Sequence, residues 1–176
     1  MSPRSRTASV PILPLPKGTV LLPGITQRIL ASSDRPDLSA LLSSVYSRAA
    51  NLPNKGRIDA VPIACVPMAS PFIGPRGHLL LTGSRDGQDV PEAPEFDAEK
   101  TRKSDLFGCG VAAKIVGLQR HGGDTGHFSI LVEGLARVRV EKISQERPHF
   151  EGKVTWYHDE SKRSSTLQPW GPRSNV

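Results

Sequence analysis

Cysteine is the residue in this chain best suited to nucleophilic chemistry, and the chain has two, Cys65 and Cys109. A nucleophilic thiol needs a neighbouring base and a group that orients it. Both cysteines lie in apolar, strand-like patterns, where cysteine usually packs as a small hydrophobic side chain. No G-x-S-x-G pattern supplies a serine nucleophile instead. The sequence therefore predicts no catalytic residue, and alkylation of Cys65 and Cys109 is the test of an enzyme that uses either.

Metal and phosphate chemistry find equally little support. His121 and His127 flank a glycine-rich stretch that contains Asp124, but this spacing matches no structural zinc pattern. The run from Gly108 to Ala113 matches G-x-G-x-x-A. However, a dinucleotide site needs a strand before this motif and a helix after it, whereas here an alternating, strand-like stretch follows. The P-loop pattern is missing as well. We expect no metal site and no cofactor-binding site in this chain.

Length and composition limit the possible folds. The chain has 176 residues and a mass of 19.0 kDa, enough for one domain with a hydrophobic core. Its 16 glycines and 16 prolines argue against long helices. No apolar run approaches the roughly 18 residues that span a bilayer. The amino terminus lacks the apolar segment of a secretory signal, and two cysteines suit a reducing compartment. The sequence thus predicts a soluble, intracellular, single-domain protein that does not bind membranes.

The charge is distributed unevenly along the chain. The formal net charge is +6, and six of the 17 acidic residues fall between Asp86 and Glu99. The rest of the chain is therefore strongly basic, which attracts nucleic acid or other anionic partners. Solubility alone also explains such a surface. We favour this second explanation, because no basic run is interleaved with aromatic residues as single-strand binders require.

Hydrophobic periodicity predicts one helix. Six apolar residues at helical spacing form one stripe: Leu38, Leu41, Leu42, Val45, Tyr46 and Ala49. Asp34 is the expected N-cap ahead of Pro36, and Asn51 and Pro53 are expected to end the helix. Since a single helix cannot form a bundle, it must lie on a sheet or at one end of a barrel.

The other ordered stretches read as strands. They are expected at 10–15, 19–22, 25–30, 58–68, 111–119, 128–141 and 150–157. The first contains prolines and is expected at a sheet edge. Pro23-Gly24 indicates a turn, residues 120–126 a hairpin loop, and Gly134 a bulge or corner. About six strands and one helix predict a mainly β protein, either a small, strongly bent sheet or a β-barrel.

The remaining segments divide the chain. Residues 1–9 are expected to form a flexible leader, residues 10–157 the β-barrel domain, and residues 158–176 a polar tail. Within the domain, residues 69–105 combine proline, glycine and charge. A loop of this length is usually functional or disordered.

Two regions, in this order, resemble the amino-terminal domain of Lon proteases. LPLPKGTVLLPG (13–24) is similar to the opening strand pair of that domain. GCGVAAKI (108–115), followed by ILVEGLARVRVEKI (130–143), is similar to its closing hairpin. The resemblance covers residues 10–157. It implies a pseudo-barrel of about six strands around one helix, of the kind also found in RNA-binding PUA domains.

The resemblance also implies a role in protein quality control. Lon enzymes are hexameric, ATP-dependent serine proteases that unfold and degrade damaged proteins, and their amino-terminal domain helps to recognise these substrates and supports assembly. The implied partners are unfolded or damaged client proteins and other Lon subunits. ATP and Mg²⁺ would act in an ATPase module. Neither that module nor the protease Ser–Lys dyad matches this chain, so no catalytic residue is carried over.

Details of the resemblance favour one branch of the family. A start without a long transit peptide, LLPG at 21–24 and the sequence Glu146-Arg147-Pro148 resemble peroxisomal Lon. The insertion at 69–105 resembles those of fungal enzymes. The peroxisomal matrix is therefore expected ahead of mitochondria or cytoplasm, although the carboxyl end is not an S-K-L signal. An excised domain and a stand-alone relative both fit the sequence.

Two functions follow from these observations. A protein-binding domain would hold the exposed apolar side chains and extended backbone of a client, by strand addition or in an apolar groove. Its candidate contacts are Leu22, Pro23, Phe72, Ile73, Leu79, Leu80 and Leu81. Alternatively, the apolar residues of the long loop only attach that loop to the barrel.

The second function is RNA binding by a PUA-like domain. It would use a basic face with Arg137, Arg139 and, alongside, Lys153. Arginine on a solvated strand face is more often a partner in a cross-strand ion pair. The carboxylates available for such pairs are Glu133, Glu141 and Glu151.

Overall fold

Five of the six strands close into a ring, and the sixth lies outside it. The computed structural model describes residues 6–16, 19–31, 35–53, 56–69, 96–121 and 127–157. The strands are β1 (Thr7–Leu15), β2 (Thr26–Ala31), β3 (Ile63–Pro67), β4 (Cys109–Arg120), β5 (Phe128–Gln145) and β6 (Phe150–Trp156). Their order is β2-β5-β4-β3-β1-β6, and β6 also pairs with β5, which closes the ring. The mainly β, barrel-like fold predicted from the sequence is confirmed.

β1 pairs on both sides, so the prediction of an edge strand is wrong. Residues 7–12 pair antiparallel with β6, and residues 12–15 pair parallel with β3. Because only Ile12 belongs to both ladders, Pro11 and Pro14 each need a partner on one side alone. Proline is tolerated in a strand where its nitrogen faces an unpaired side. β1 also begins at Thr7, so residues 7–9, expected in a flexible leader, pair with β6.

The Pro23-Gly24 turn precedes β2. Gly24 has a φ of 79°, and the Ile25 N–H donates to the Leu22 carbonyl over 3.2 Å. Proline at the second position and glycine with positive φ at the third make this a type II turn, as the sequence predicts. Residues 19–22, expected to be a strand, lie in no strand of the structure. Only Leu21 of this run is buried in the core.

The β4–β5 hairpin is the longest ladder. It runs from Arg120 opposite Phe128 to Cys109 opposite Arg139. Ala113 faces Gly134, but its neighbour Ala112 faces Ala136. Leu135 is therefore an extra residue on β5, and the interruption expected at Gly134 is a β-bulge within one strand of 18 residues.

The single helix, α1 (Pro36–Ala50), packs against one face of the sheet. Pro36 occupies the first turn, but the N-cap is Arg35 rather than the predicted Asp34. Instead of a capping side chain, Arg35 makes an ion pair of 2.9 Å with Asp37 in the first turn. Asn51 is the C-cap, as predicted. Tyr46, predicted within the apolar stripe, is 48% exposed because it lies at the edge of the buried face.

The hydrophobic core has two parts, separated by β1 and β3. One part lies between the sheet and α1, and it includes Leu13, Leu15, Ile63, Ile29, Leu38, Leu41, Val45, Ile115, Ile130 and Val132. The other lies on the opposite face and includes Val10, Ile12, Ala64, Val66, Val138, Phe150 and Val154. Alternate residues of β1 and β3 point to opposite faces, so these strands are buried on both sides.

The end of the predicted long loop is ordered. Residues 96–105 form turns and a short 3-10 helix (Lys103–Asp105), and Leu106 pairs with Met68. The Arg35 guanidinium lies 3.9 Å from the centre of the Phe96 ring, and Arg147 donates to main-chain carbonyls of this segment. The predicted loop of 69–105 therefore extends too far at its carboxyl end. A second 3-10 helix (Ile58–Ala60) replaces the start of the strand expected at 58–68.

None of the described helices is long and apolar enough to span a membrane.

Candidate protein-binding surface

The two cysteines have opposite environments. Cys65 is fully buried in β3, and burial raises the pKa of its thiol to about 12. This thiol therefore stays protonated and packs as a small hydrophobic group, as the sequence predicts. Cys109 is exposed, which corrects the same prediction for it. It begins β4 opposite Arg139, at a position where the apolar alternation of the strand has not yet started.

The candidates for metal and phosphate binding remain unsupported. In the described ranges, no group of three His, Cys, Asp or Glu residues is placed to hold a metal ion. His121 Nε2 lies 3.1 Å from the Ser129 hydroxyl, and Asp124 lies outside the described residues. Gly108 precedes β4 rather than a helix, so the G-x-G-x-x-A match is a glycine-rich entry to a strand.

Exposed apolar side chains lie on and beside the turn that precedes β2. The Gly24 N–H donates to the Gly134 carbonyl over 2.8 Å, and the Gly134 N–H donates to the Ile25 carbonyl over 2.9 Å. The turn is thus attached directly to the bulge of β5. A Cβ atom at Gly134 would overlap the Leu22 carbonyl oxygen and lie 3.0 Å from its carbon. Glycine at 134 is therefore what permits this close contact.

Four apolar residues on these two segments are exposed, and we call them the turn patch. They are Val20 (63%), Leu22 (56%), Ile25 (52%) and Leu135 (46%). The main-chain contacts between turn and bulge bring Leu22 and Ile25 near Leu135, and Val20 lies two residues before Leu22. A clustered apolar surface of this kind is typical of sites that bind other proteins.

The structure places two of the predicted client contacts in the turn patch region. Leu22 belongs to the patch, and Pro23 beside it is partly buried in the turn. Phe72, Ile73, Leu79, Leu80 and Leu81 lie outside the described residues. Val20, Ile25 and Leu135 are not among the contacts predicted from the sequence. The break in β5 at Gly134 is the only sequence signal for Leu135, and it does not show which segment contacts the bulge.

The basic face proposed for RNA is partly neutralised. Arg139 forms an ion pair with Glu141 (3.1 Å), one of the predicted carboxylates, but the pair lies within β5 rather than across two strands. The hydrogen bonds from Arg139 hold the pKa of the Glu141 carboxyl below its usual value. Arg137 and Lys153 are exposed. The other two candidate carboxylates bind different partners, Glu133 with Lys114 (3.2 Å) and Glu151 with Arg48 (2.7 Å).

Comparison with known families identifies the domain. Residues 9–172 match the model of the ATP-dependent protease La (LON) substrate-binding domain. The chain belongs to this family. The resemblance of 13–24, 108–115 and 130–143 to the Lon amino-terminal domain is therefore confirmed at the level of the family.

Individual relatives agree with this assignment. The chain is 33% identical over 85 residues to Lon protease 2 of Myxococcus xanthus, and 31% identical over 85 residues to the Lon protease of Anaeromyxobacter dehalogenans. Each match covers 47% of this chain and 10% of the relative, so the matched part is a small fraction of those proteins. The fold is similar to the N-terminal domain of a Mycobacterium avium complex Lon protease, with a TM-score of 0.50 and 18% identity over 86% of this chain and 56% of that one.

These relatives are bacterial Lon proteases. They give no support to the peroxisomal, fungal branch that the sequence details favoured. The short motifs used for that inference, LLPG and Glu146-Arg147-Pro148, take part in the turn before β2 and the connection between β5 and β6.

Proposed function

We propose that this chain binds unfolded or damaged protein clients for an ATP-dependent Lon protease, and that the turn patch is the contact surface. The observation that carries the proposal is the group of four exposed apolar side chains on the turn and bulge, in a domain of the Lon substrate-binding family. Unfolded proteins expose apolar side chains that folded proteins bury, so an exposed apolar surface distinguishes the two states of a client.

The strength of this contact follows from the exposed area. Complete burial of a leucine, isoleucine or valine side chain contributes about 2 kcal/mol, so four residues that are about half exposed contribute about 4 kcal/mol in total. This corresponds to a dissociation constant of about 1 mM before the costs of association. Weak binding by one domain suits an assembly with several copies, because a long client can contact more than one copy at once. Other Lon subunits are the partners that the proposal requires.

Catalysis would take place in other modules of a Lon protease. ATP and Mg²⁺ would drive unfolding in an ATPase module of a Lon protease, and peptide-bond cleavage would occur in its protease module. This chain contributes recognition, and we assign none of its residues to a catalytic or cofactor role.

The test uses a permanently unfolded protein, reduced, alkylated and fluorescently labelled, and measures its anisotropy with the purified chain. The variant Leu22→Ser/Ile25→Ser removes two residues of the turn patch. The control Val116→Ser/Leu118→Ser removes two exposed apolar residues on the distal part of β4. We expect the first variant to weaken binding about tenfold and the control to leave it unchanged within about twofold. Equal losses in both would contradict the assignment.

The salt dependence of binding separates this proposal from RNA binding. Apolar contacts change little between low and high salt, whereas phosphate contacts weaken steeply. We therefore expect client binding to persist in 0.5 M salt. Tight binding of a structured RNA at low salt, with no client binding, would support the PUA-like alternative through Arg137 and Lys153.

A further inference from the structure

The outer edge of β2 offers main-chain hydrogen-bonding groups that the turn patch does not use. β2 pairs with β5 on one side only. Among the described residues, no main-chain hydrogen bond outside the ladders involves residues 26–31. β4 contacts the 3-10 helix at 58–60, and beyond Ala113 it pairs, among the described strands, with β5 alone. Within the described ranges, β2 is the terminal strand of the sheet, and its whole outer edge can accept another strand.

The direction of these groups follows from the ladder. The Gly134 N–H donates to the Ile25 carbonyl, so this carbonyl faces β5. Hydrogen-bonded positions in an antiparallel ladder alternate, so every second residue after Ile25 also faces β5. The residues whose N–H and C=O groups face the outer edge are Thr26, Arg28 and Leu30. Their side chains are exposed, whereas Ile29 between them is buried.

We infer that β2 binds an extended segment of a client polypeptide as an added strand. This inference rests on the proposed function, and it specifies how the client is held. Three N–H and three C=O groups at two-residue intervals match the backbone of an extended chain, whatever its sequence. The six residues of β2 span about 20 Å. β2 begins directly after Ile25, so a client segment that contacts the turn patch continues along the edge.

The side chains on this edge add a preference for certain client sequences. Leu30 is 67% exposed, and Arg28 next to it on the same face has no ion-pair partner among the described residues. Residues opposite each other in neighbouring strands share a face and interact. The added strand would therefore place an apolar residue opposite Leu30 and an acidic or polar residue opposite Arg28.

The same charge argues against a second copy of this chain as the occupant. Two β2 strands that pair antiparallel with Arg28 at the two-fold axis would place it opposite the partner copy's arginine. Like charges directly opposite each other destabilise a sheet. A client segment with an acidic or neutral residue at that position avoids this repulsion.

Hydrogen exchange of the whole chain, with and without the unfolded protein described above, tests the inference. In the complex we expect the amides of Arg28 and Leu30 to exchange at least about tenfold more slowly, because they gain hydrogen bonds. The amide of Ile29, which already faces β5, should be unchanged. This alternation within one strand distinguishes strand addition from general protection of the surface.

A pair of substitutions at one position provides an independent test. Arg28→Pro removes the outward N–H, and Arg28→Ala keeps it while removing the charge. We expect Arg28→Pro to weaken client binding about tenfold and Arg28→Ala to weaken it less than about threefold. Equal losses would show that the charge, not the backbone, makes the contact, and would overturn the inference. If Arg28→Pro does not fold, the hydrogen-exchange pattern of the unsubstituted chain decides alone.

The outcomes separate the inference from the proposed function. Client binding that is lost in Leu22→Ser/Ile25→Ser, without slower exchange at Arg28 and Leu30, overturns strand addition and leaves the turn patch as the site. The absence of client binding overturns both. A third outcome is that protection of these two amides increases with the concentration of the chain when no client is present. That result overturns the inference and assigns the edge to a second copy.

Discussion

The contact between the turn and the bulge makes a specific prediction about Gly134. In Gly134→Ala, the new Cβ would overlap the Leu22 carbonyl oxygen and lie 3.2 Å from Val111 Cγ1. The first neighbour is main chain and cannot rotate away, so the turn must move off β5. That movement breaks the hydrogen bonds from Gly24 to Gly134 and from Gly134 to Ile25, which are 2.8 and 2.9 Å long.

The magnitude follows from these two effects. Loss of two hydrogen bonds costs about 2 kcal/mol, and an added methyl group in a tightly packed place costs about 1 kcal/mol or more. We therefore expect the free energy of unfolding to fall by about 3 kcal/mol. With a typical slope of about 2 kcal/mol per molar urea, the unfolding midpoint should fall by about 1.5 M.

The assay is urea unfolding of the purified chain, followed by tryptophan fluorescence and circular dichroism. Gly108→Ala is the matched control, because a Cβ at Gly108 would meet no atom within 4 Å, and its midpoint should stay within about 0.3 M of the unsubstituted chain. A Gly134→Ala midpoint equally close to that of the unsubstituted chain would refute the close contact between turn and bulge. The folded fraction of Gly134→Ala should also bind the unfolded client more weakly, since the turn patch depends on this contact.

Three further predictions concern the core and the titrating groups. A thiol reagent at neutral pH should modify Cys109 in the folded chain and leave Cys65 unmodified, because burial raises the pKa of Cys65 to about 12. Mass spectrometry of the native protein measures the modification of each cysteine. Modification of both at equal rates would contradict the prediction. Burial lowers the pKa of His149 below its usual 6.5, so the folded state favours the neutral ring, and stability should fall as pH drops below about 6.5. In His149→Phe, the decrease in stability caused by protonation of His149 should be absent from urea midpoints measured between pH 7.5 and 5.5. A pH dependence equal to that of the unsubstituted chain would show that His149 does not cause the decrease. Leu41→Ala, at a position only 1% exposed between helix and sheet, should lower the free energy of unfolding by about 3 kcal/mol, whereas a urea midpoint unchanged within error would show that α1 does not pack there.

The sequence predicted those elements whose pattern is local. Alternation in β4 and β5 gave the hairpin, and the break at Gly134 indicated the bulge. The helical stripe from Leu38 to Ala49 gave α1 almost to its ends. In each case the burial of a residue is set by its position within one element, so periodicity along the chain is sufficient.

The failures concern contacts between distant parts of the chain. Pro11 and Pro14 predict an edge strand. This prediction is wrong because the sequence does not show that β1 changes partner at Ile12. The prediction that Cys109 is buried is wrong, because the sequence does not show where β4 leaves the core. The turn patch was found only in part for the same reason. Its residues come together because Gly134 lets the turn touch β5, a contact over more than a hundred residues that no local pattern encodes.

The most direct test of the proposed function is a methyl-resolved NMR titration of the full chain with the unfolded protein. We expect the methyl resonances of Leu22, Ile25 and Leu135 to shift or broaden first, and those of Val116 and Leu118 not to change. Perturbation of the Val116 and Leu118 methyl groups, with the turn patch unchanged, would contradict the proposed function.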